Sequence, residues 1–153
     1  MTTLPDNIVE FNALAGRVLV ALFVTHPMPI ALEASTFFPI ERGALVSPGS
    51  EINEQWDLFE NTVAWLRDEG YLRYAMAPGI QSYNPTFQLA KLTEKGMSTL
   101  TKPLPALASK DGKKTIGEQL VGAAKSAAIK GAGTAGLEAT KFEFAHIVSQ
   151  IFS

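Results

Sequence analysis

The sequence predicts a mainly helical α+β fold, in which three helices precede a β-hairpin and a helical tail follows it. Apolar residues recur at helical spacing in residues 6–25 and 50–70. Between residues 71 and 92 the pattern changes to short aromatic and alternating runs around turn residues. Helical spacing returns near the C-terminus of the chain. The order of these patterns defines the predicted fold.

The first helix is predicted over residues 6–25, with Asp6 as its N-cap. Its apolar residues lie on most of its sides, so it should be the central helix. Pro27 and Pro29 end it, because proline lacks an amide donor and restricts the residue before it. Pro29 is also well placed to open a short second helix, from residue 30 to about residue 37.

The third helix is predicted to begin after Ser50, whose hydroxyl is a suitable cap, and to stop at Gly70. Its apolar residues recur at alternating spacings of four and three, which places them on one face. These residues are Ile52, Trp56, Phe59, Val63 and Leu66.

A β-hairpin is predicted next, with strands over residues 71–76 and 86–92. Pro78-Gly79 and Asn84-Pro85 mark the loop between them. Thr93 then begins a short helical turn.

The chain after residue 102 differs in composition from the part before it. Thr115 and Glu118 form a capping-box pattern that predicts the start of a tail helix rich in alanine, glycine and lysine. We therefore expect a domain over residues 1–102, a linker over 103–114 and an association tail over 115–153.

The order helix, short helix, longer helix, strand, loop, strand resembles the winged-helix superfamily, specifically its MarR-like and PadR-like branch. Residues 64–72 are similar to the "L-x-x-x-G-Y/L-I/L" end of the family's third helix, and 92–100 are similar to its "L-T-x-x-G-x-x-x-L". The likeness covers about residues 6–100 and implies a DNA-binding third helix beside a hairpin wing. Residues 38–50 depart from the pattern, because paired DNA-binding helices are usually joined by three or four residues.

Charge argues against DNA. Residues 1–75 hold four arginines against ten Asp and Glu, whereas 76–153 hold nine lysines against five. Residues 51–69 contain six Asp and Glu but only one cation, Arg67. The wing residues 78–86 contain no Lys or Arg. Phosphate neutralisation supplies most DNA affinity. We therefore expect a non-enzymatic protein–protein adaptor, for instance in a multi-subunit bacterial or phage-related assembly. The alternative is a DNA-binding regulator that dimerises through its C-terminal helix.

Two sets of residues are candidates for partner binding. The first set is acidic and suits a basic partner, although a solvated helix face is the simpler explanation. The second is an apolar stripe that the same chain, a second copy or another protein must cover, and from it we expect at least a dimer or a partner-dependent chain. The acidic residues are Glu51, Glu54, Asp57 and Glu60. The stripe residues are Phe144, Ile147, Val148 and Ile151.

No catalytic, cofactor or metal site is predicted. Residues 131–136 read G-x-G-x-x-G, but a helix-forming stretch precedes them and too few residues follow for a dinucleotide-binding unit. Small residues on one helical face there favour close helix packing. There is no cysteine, and the histidines, His26 and His146, lie far apart in the chain. The apolar run 18–24 is too short to span a bilayer, so we expect a cytoplasmic protein that does not enter the membrane.

Overall fold

A computed structural model of the chain describes residues 5–40, 49–79, 84–103, 115–129 and 134–152. The described part is mainly helical with one small antiparallel sheet. Its elements are α1 (Asp6–Thr25), β1 (Ile30–Glu33), α2 (Ala34–Phe37), α3 (Glu51–Asp68), β2 (Leu72–Arg73), β3 (Thr86–Leu92), α4 (Glu94–Leu100), α5 (Ile116–Ile129) and α6 (Thr134–Phe152). Residues 104–114 of the predicted linker and the first two glycines of the G-x-G-x-x-G stretch lie outside the described residues.

The central position of α1 is confirmed. Helices α3, α5 and α6 and strand β3 all pack against it, and most of its residues are buried. The predicted cap is wrong, because the N-cap position is Pro5 and the Asp6 side chain makes no capping hydrogen bond. The mainly apolar surface of α1 explains why packing rather than capping fixes this helix.

The predicted second helix is wrong over its first half. Residues 30–33 form β1, which pairs antiparallel with β3, with Leu32 opposite Phe87 and Glu33 opposite Thr86. Leu32 is buried between two exposed neighbours, which is strand alternation over too few residues to be recognised in the sequence. The open edge of β3 supplies hydrogen bonds that local periodicity does not predict. Only residues 34–37 are helical, as α2.

Helix α3 matches its prediction at both ends. The Ser50 hydroxyl accepts a hydrogen bond from the Asn53 amide at 3.3 Å. At the other end Gly70 has φ of +86°, and the Tyr71 amide donates to the Leu66 carbonyl at 2.9 Å. This Schellman arrangement needs a left-handed residue, which glycine adopts without strain. The predicted apolar face is buried, with Ile52 only partly so.

The predicted hairpin strands pair with each other, but the first strand is only Leu72–Arg73 rather than residues 71–76. β2 and β3 pair antiparallel, with Leu72 opposite Leu92, and a further bridge joins Met76 to Gln88. The sheet order is β1-β3-β2, so β3 is the central strand. The sheet packs through β3 against α1.

The turn from β3 into α4 depends on glycine. The Thr93 hydroxyl caps α4 by accepting from the Gly96 amide at 3.0 Å, and the Thr93 amide donates to the Tyr71 carbonyl at 3.1 Å. A Cβ on Gly96 would lie 2.1 Å from the Tyr71 carbonyl oxygen. The short helix can therefore pack on the end of α3 only because residue 96 has no side chain.

The tail helices belong to the core. The Thr115 and Glu118 capping box is confirmed, with the Glu118 amide donating to the Thr115 hydroxyl at 3.2 Å. Leu120 and Val148 lie in the same buried cluster as the residues of α1 and α3. A Cβ on Gly16 would lie 2.8 Å from Val148 Cγ2, which shows how closely α6 packs on α1. The tail helices are therefore part of the core, because α1 has a second apolar side that α5 and α6 cover.

Candidate functional site

The outer side of α3 presents the four carboxylates that the sequence singled out, here called the acidic face. Glu51, Glu54 and Asp57 are exposed, and Glu60 is half-buried. Within the described part of the chain, none of the four forms an ion pair. Among the described residues, no cation pairs with the acidic face, which lies outside the buried stripe of the helix.

Glu60 differs from its neighbours because it lies at the margin of the core. Partial burial raises the pKa of Glu60, and the nearby charge of Asp57 raises it further. The charge of Glu60 is thus less favourable in the folded chain than in water. A cation placed against this part of α3 would relieve both effects.

Four aromatic rings meet beside the C-terminal half of α3, here called the aromatic cluster. They come from four parts of the chain, and Trp65 contacts the other three. Its ring centroid lies 4.9 Å from that of Phe152, 5.0 Å from Phe11 and 6.4 Å from Tyr71. Trp65 is nevertheless 37% exposed. The cluster is therefore an apolar surface that is only partly covered.

The acidic face and the aromatic cluster are continuous on α3. Asp57, Asn61 and Trp65 follow one another at four-residue spacing and form one row along the helix. The Asn61 side-chain amide donates to the Asp57 carbonyl at 2.8 Å, which holds it along the helix. Sequence reasoning missed the cluster, because its other rings lie on elements whose packing on α3 has no local pattern. The signal available was Trp65, which lies off the buried stripe of its own helix.

A lysine borders the cluster. Lys95 Nζ lies 4.5 Å from the centroid of Tyr71 and donates to the Glu69 carbonyl at 2.6 Å. This cation caps the C-terminal end of α3, where the helix dipole favours positive charge. Lys95 therefore lies at one end of the site, and the acidic face lies at the other end.

The other candidate set lies elsewhere. Phe144, Ile147 and Val148 are buried against α1 and α5 of the same chain, and Ile151 is half-buried against the same core. The stripe is therefore not an exposed docking surface, because the body of the chain covers it. The predicted dimer stays a prediction, and its apolar driving force has to come from another surface.

Nothing in the described residues forms a recognisable reaction centre. No group of three or more His, Cys, Asp or Glu side chains there is arranged to hold a metal ion. His26 and His146 are both exposed, one after the end of α1 and the other on α6. Helix α1 has the length and apolar composition of a membrane span, but 56% of its apolar window is buried inside the fold, as in the core helix of a globular protein.

No family model, no curated protein and no solved structure matches the chain. The structure itself defines the class of protein, which is a mainly helical α+β protein with a three-stranded antiparallel sheet.

Proposed function

We propose that the chain is a non-enzymatic adaptor of winged-helix type that binds another protein through the acidic face and the aromatic cluster. One observation carries the proposal: Asp57, which forms no ion pair with any described residue, lies on the same helix row as Trp65, a tryptophan that remains exposed within four rings. Tryptophan and tyrosine are enriched among the residues that dominate binding energy at interfaces. We place this adaptor in the cytoplasm.

The winged-helix part of the proposal is supported by the order of elements. Three helices lead into the β2-β3 hairpin, and β1 pairs with the other edge of β3. The two glycines of the resembling motifs, Gly70 and Gly96, also have physical roles at the junction of α3 and α4. Both motifs thus specify how the hairpin returns to the helical body.

The chemistry of the site defines the partner. Carboxylates on α3 attract Lys or Arg, and a partly exposed indole takes an aliphatic or aromatic side chain. The partner should therefore present an apolar residue flanked by cations. Such a surface occurs on basic proteins and on subunits of larger assemblies.

DNA binding is the second candidate, and one observation favours it. Arg73 and Lys91 lie opposite each other on β2 and β3, which gives the hairpin a basic spot. The helix that would enter the major groove, however, has the acidic face. The carboxylates of α3 would repel the DNA phosphates. The two hairpin cations alone would therefore bind DNA only weakly.

Affinity capture with the full-length chain as bait, on nuclease-treated extract, tests the adaptor. We expect one protein to be lost from the capture with W65S and also with the double variant E54K/D57K. M28S and D6K are the matched controls, because Met28 is an exposed apolar residue and Asp6 an exposed carboxylate, and neither belongs to the acidic face or the aromatic cluster. Capture that is insensitive to W65S and E54K/D57K would contradict the proposal.

Anisotropy titration with a labelled duplex at low salt tests the second candidate. The adaptor predicts weak, sequence-insensitive binding. Tight binding that R73E/K91E abolishes and W65S leaves intact would instead establish DNA recognition through the hairpin.

A further inference from the structure

The β2-β3 hairpin carries two exposed apolar side chains beside two cations, and these four residues are here called the hairpin face. Leu89 on β3 is 57% exposed, and Met76, which pairs with the residue before Leu89, is 59% exposed. Arg73 and Lys91 lie opposite each other on β2 and β3. Residues 70–93 contain no other charged side chain. The hairpin face is therefore apolar and purely cationic.

Leu89 has a strained backbone conformation. Its φ is +55°, in the left-handed region that residues with a Cβ rarely adopt. The register of β1 on β3 shifts between Ile30 and Leu32, opposite this part of β3, and irregularities of this kind re-aim a side chain. Strained residues cluster at functional sites. Because the Leu89 side chain is exposed, packing within its own chain does not account for it.

The hairpin face has the chemistry that the acidic face and the aromatic cluster require of a partner, which is an apolar residue flanked by cations. Neither Arg73 nor Lys91 forms an ion pair with a described carboxylate of its own chain. We propose that the hairpin face of one copy of this chain docks on the acidic face and the aromatic cluster of a second copy, with Leu89 against Trp65. The inference rests on the proposed function, because it names a partner for the same site.

The spacing of the charges is complementary. Glu54 and Asp57 lie three residues apart on α3, which places their Cβ atoms about 5–6 Å apart on one side of the helix. Residues directly opposite in an antiparallel pair, as Arg73 and Lys91 are, have Cα atoms about 4.5–5.5 Å apart. Two neighbouring cations can therefore meet two neighbouring carboxylates.

The apolar contact fits the same arrangement. Asp57 and Trp65 are eight residues apart on α3, which is about 12 Å along the helix. Lys91 and Leu89 are two residues apart on β3, which is about 7 Å along the strand. The long side chains of lysine and arginine span the remaining distance while Leu89 reaches the indole of Trp65.

Sedimentation velocity at low and high salt tests the contact. The natural chain should self-associate at low salt and dissociate as salt screens the charges. R73E/K91E and E54K/D57K, each shown folded by thermal denaturation, should weaken association about 10- to 100-fold, as expected for residues that dominate an interface. An equimolar mixture of the two variants should restore association, because each keeps one natural surface and the reversed surfaces also attract each other.

L89N tests the apolar contact separately from charge. Asparagine adopts the left-handed conformation more readily than leucine does but is polar. L89N should therefore weaken association while its melting temperature stays at or above that of the natural chain. A lower melting temperature would show that Leu89 packs within its own chain and would overturn its role. The controls M28S and K102E/K125E should associate normally, because they change exposed residues outside both surfaces.

The outcomes separate this inference from the proposed function. A natural chain that stays monomeric, or one whose association neither R73E/K91E nor L89N weakens, overturns the inference. If W65S-sensitive capture of another protein persists in that case, the proposed function stands alone. If self-association follows the expected variants but no other protein is captured, the inference stands and the adaptor is contradicted. Failure of both measurements overturns both.

Discussion

Helices α3 and α6 each carry an apolar stripe at helical spacing. The two helices differ in how much of their remaining surface is left for a partner. The stripe of α3 packs inward and leaves the acidic face and Trp65 at the surface. The stripe of α6 is covered by α1, which it contacts more extensively than any other helix does. Periodicity therefore shows that a helix has an apolar side. Which part of the molecule packs against that side depends on how much apolar surface the central helix α1 leaves uncovered.

The strongest test of this comparison removes the tail. A chain that ends at residue 103 should lose cooperative unfolding, because Leu120, Phe144, Ile147 and Val148 are all buried in the core. Burying such a side chain contributes about 1.5–3 kcal/mol, and four of them approach the roughly 5–15 kcal/mol by which domains are stable. Circular dichroism in urea measures the loss.

Coexpression is the matched control for truncation. Residues 1–103 and 104–153 produced as two chains should associate and restore the transition, because packing rather than chain continuity holds the tail. A truncated chain that is folded and unfolds cooperatively by itself would contradict the single core and return the tail to the role of an association arm.

Single substitutions compare the two stripes directly. Trp56→Ala on α3 and Phe144→Ala on α6 should each lower the free energy of unfolding by about 3–5 kcal/mol, since both side chains are buried. Ile151→Ala should cost less, because Ile151 is only half-buried. Chemical denaturation measures all three. A negligible effect of Phe144→Ala beside a large effect of Trp56→Ala would show that α6 contributes little to the core.

The sequence predicted most of the features that depend on neighbouring residues, with the Asp6 cap of α1 as an exception. The Ser50 cap, the Gly70 stop and the Thr115–Glu118 box were found where hydrogen bonds reach only a few residues along the chain. Strand β1 was missed, because its pairing with β3 joins segments more than fifty residues apart. Local spacing cannot register such a contact.

The candidate site shows the same limit. The carboxylates of the acidic face were identified because charge is visible in the sequence. The aromatic cluster was not, because its rings lie on helices and segments that meet only in the folded chain.

Glycine substitutions give a smaller effect that separates close contact from helix propensity. Gly96→Ala should destabilise by about 1–3 kcal/mol, because the added carbon meets the Tyr71 backbone, which cannot move without breaking the hydrogen bonds around it. Gly122→Ala on α5 is the control, since nothing lies within 4 Å of its added carbon. It should stabilise by up to about 1 kcal/mol through helix propensity. Thermal denaturation measures both effects. If the two substitutions shift the melting temperature in the same direction, the close contact at Gly96 is contradicted.

The smallest expected effects concern charge on α3. Because the folded chain raises the pKa of Glu60, ionised Glu60 disfavours folding above that pKa, and this penalty disappears as pH falls below the unfolded value. Glu60→Gln should therefore raise the urea midpoint slightly at pH 7 and leave it nearly unchanged near pH 3.5. Glu51→Gln should do the opposite at pH 7 and cost about 0.3–1 kcal/mol, because Glu51 lies in the first turn, where the helix dipole favours an anion. Matched urea titrations at the two pH values separate these effects from a general loss of negative charge. If both substitutions raise the midpoint at pH 7, repulsion within the acidic face outweighs the helix dipole, and the cations of a basic partner would stabilise the whole face rather than Glu60 alone.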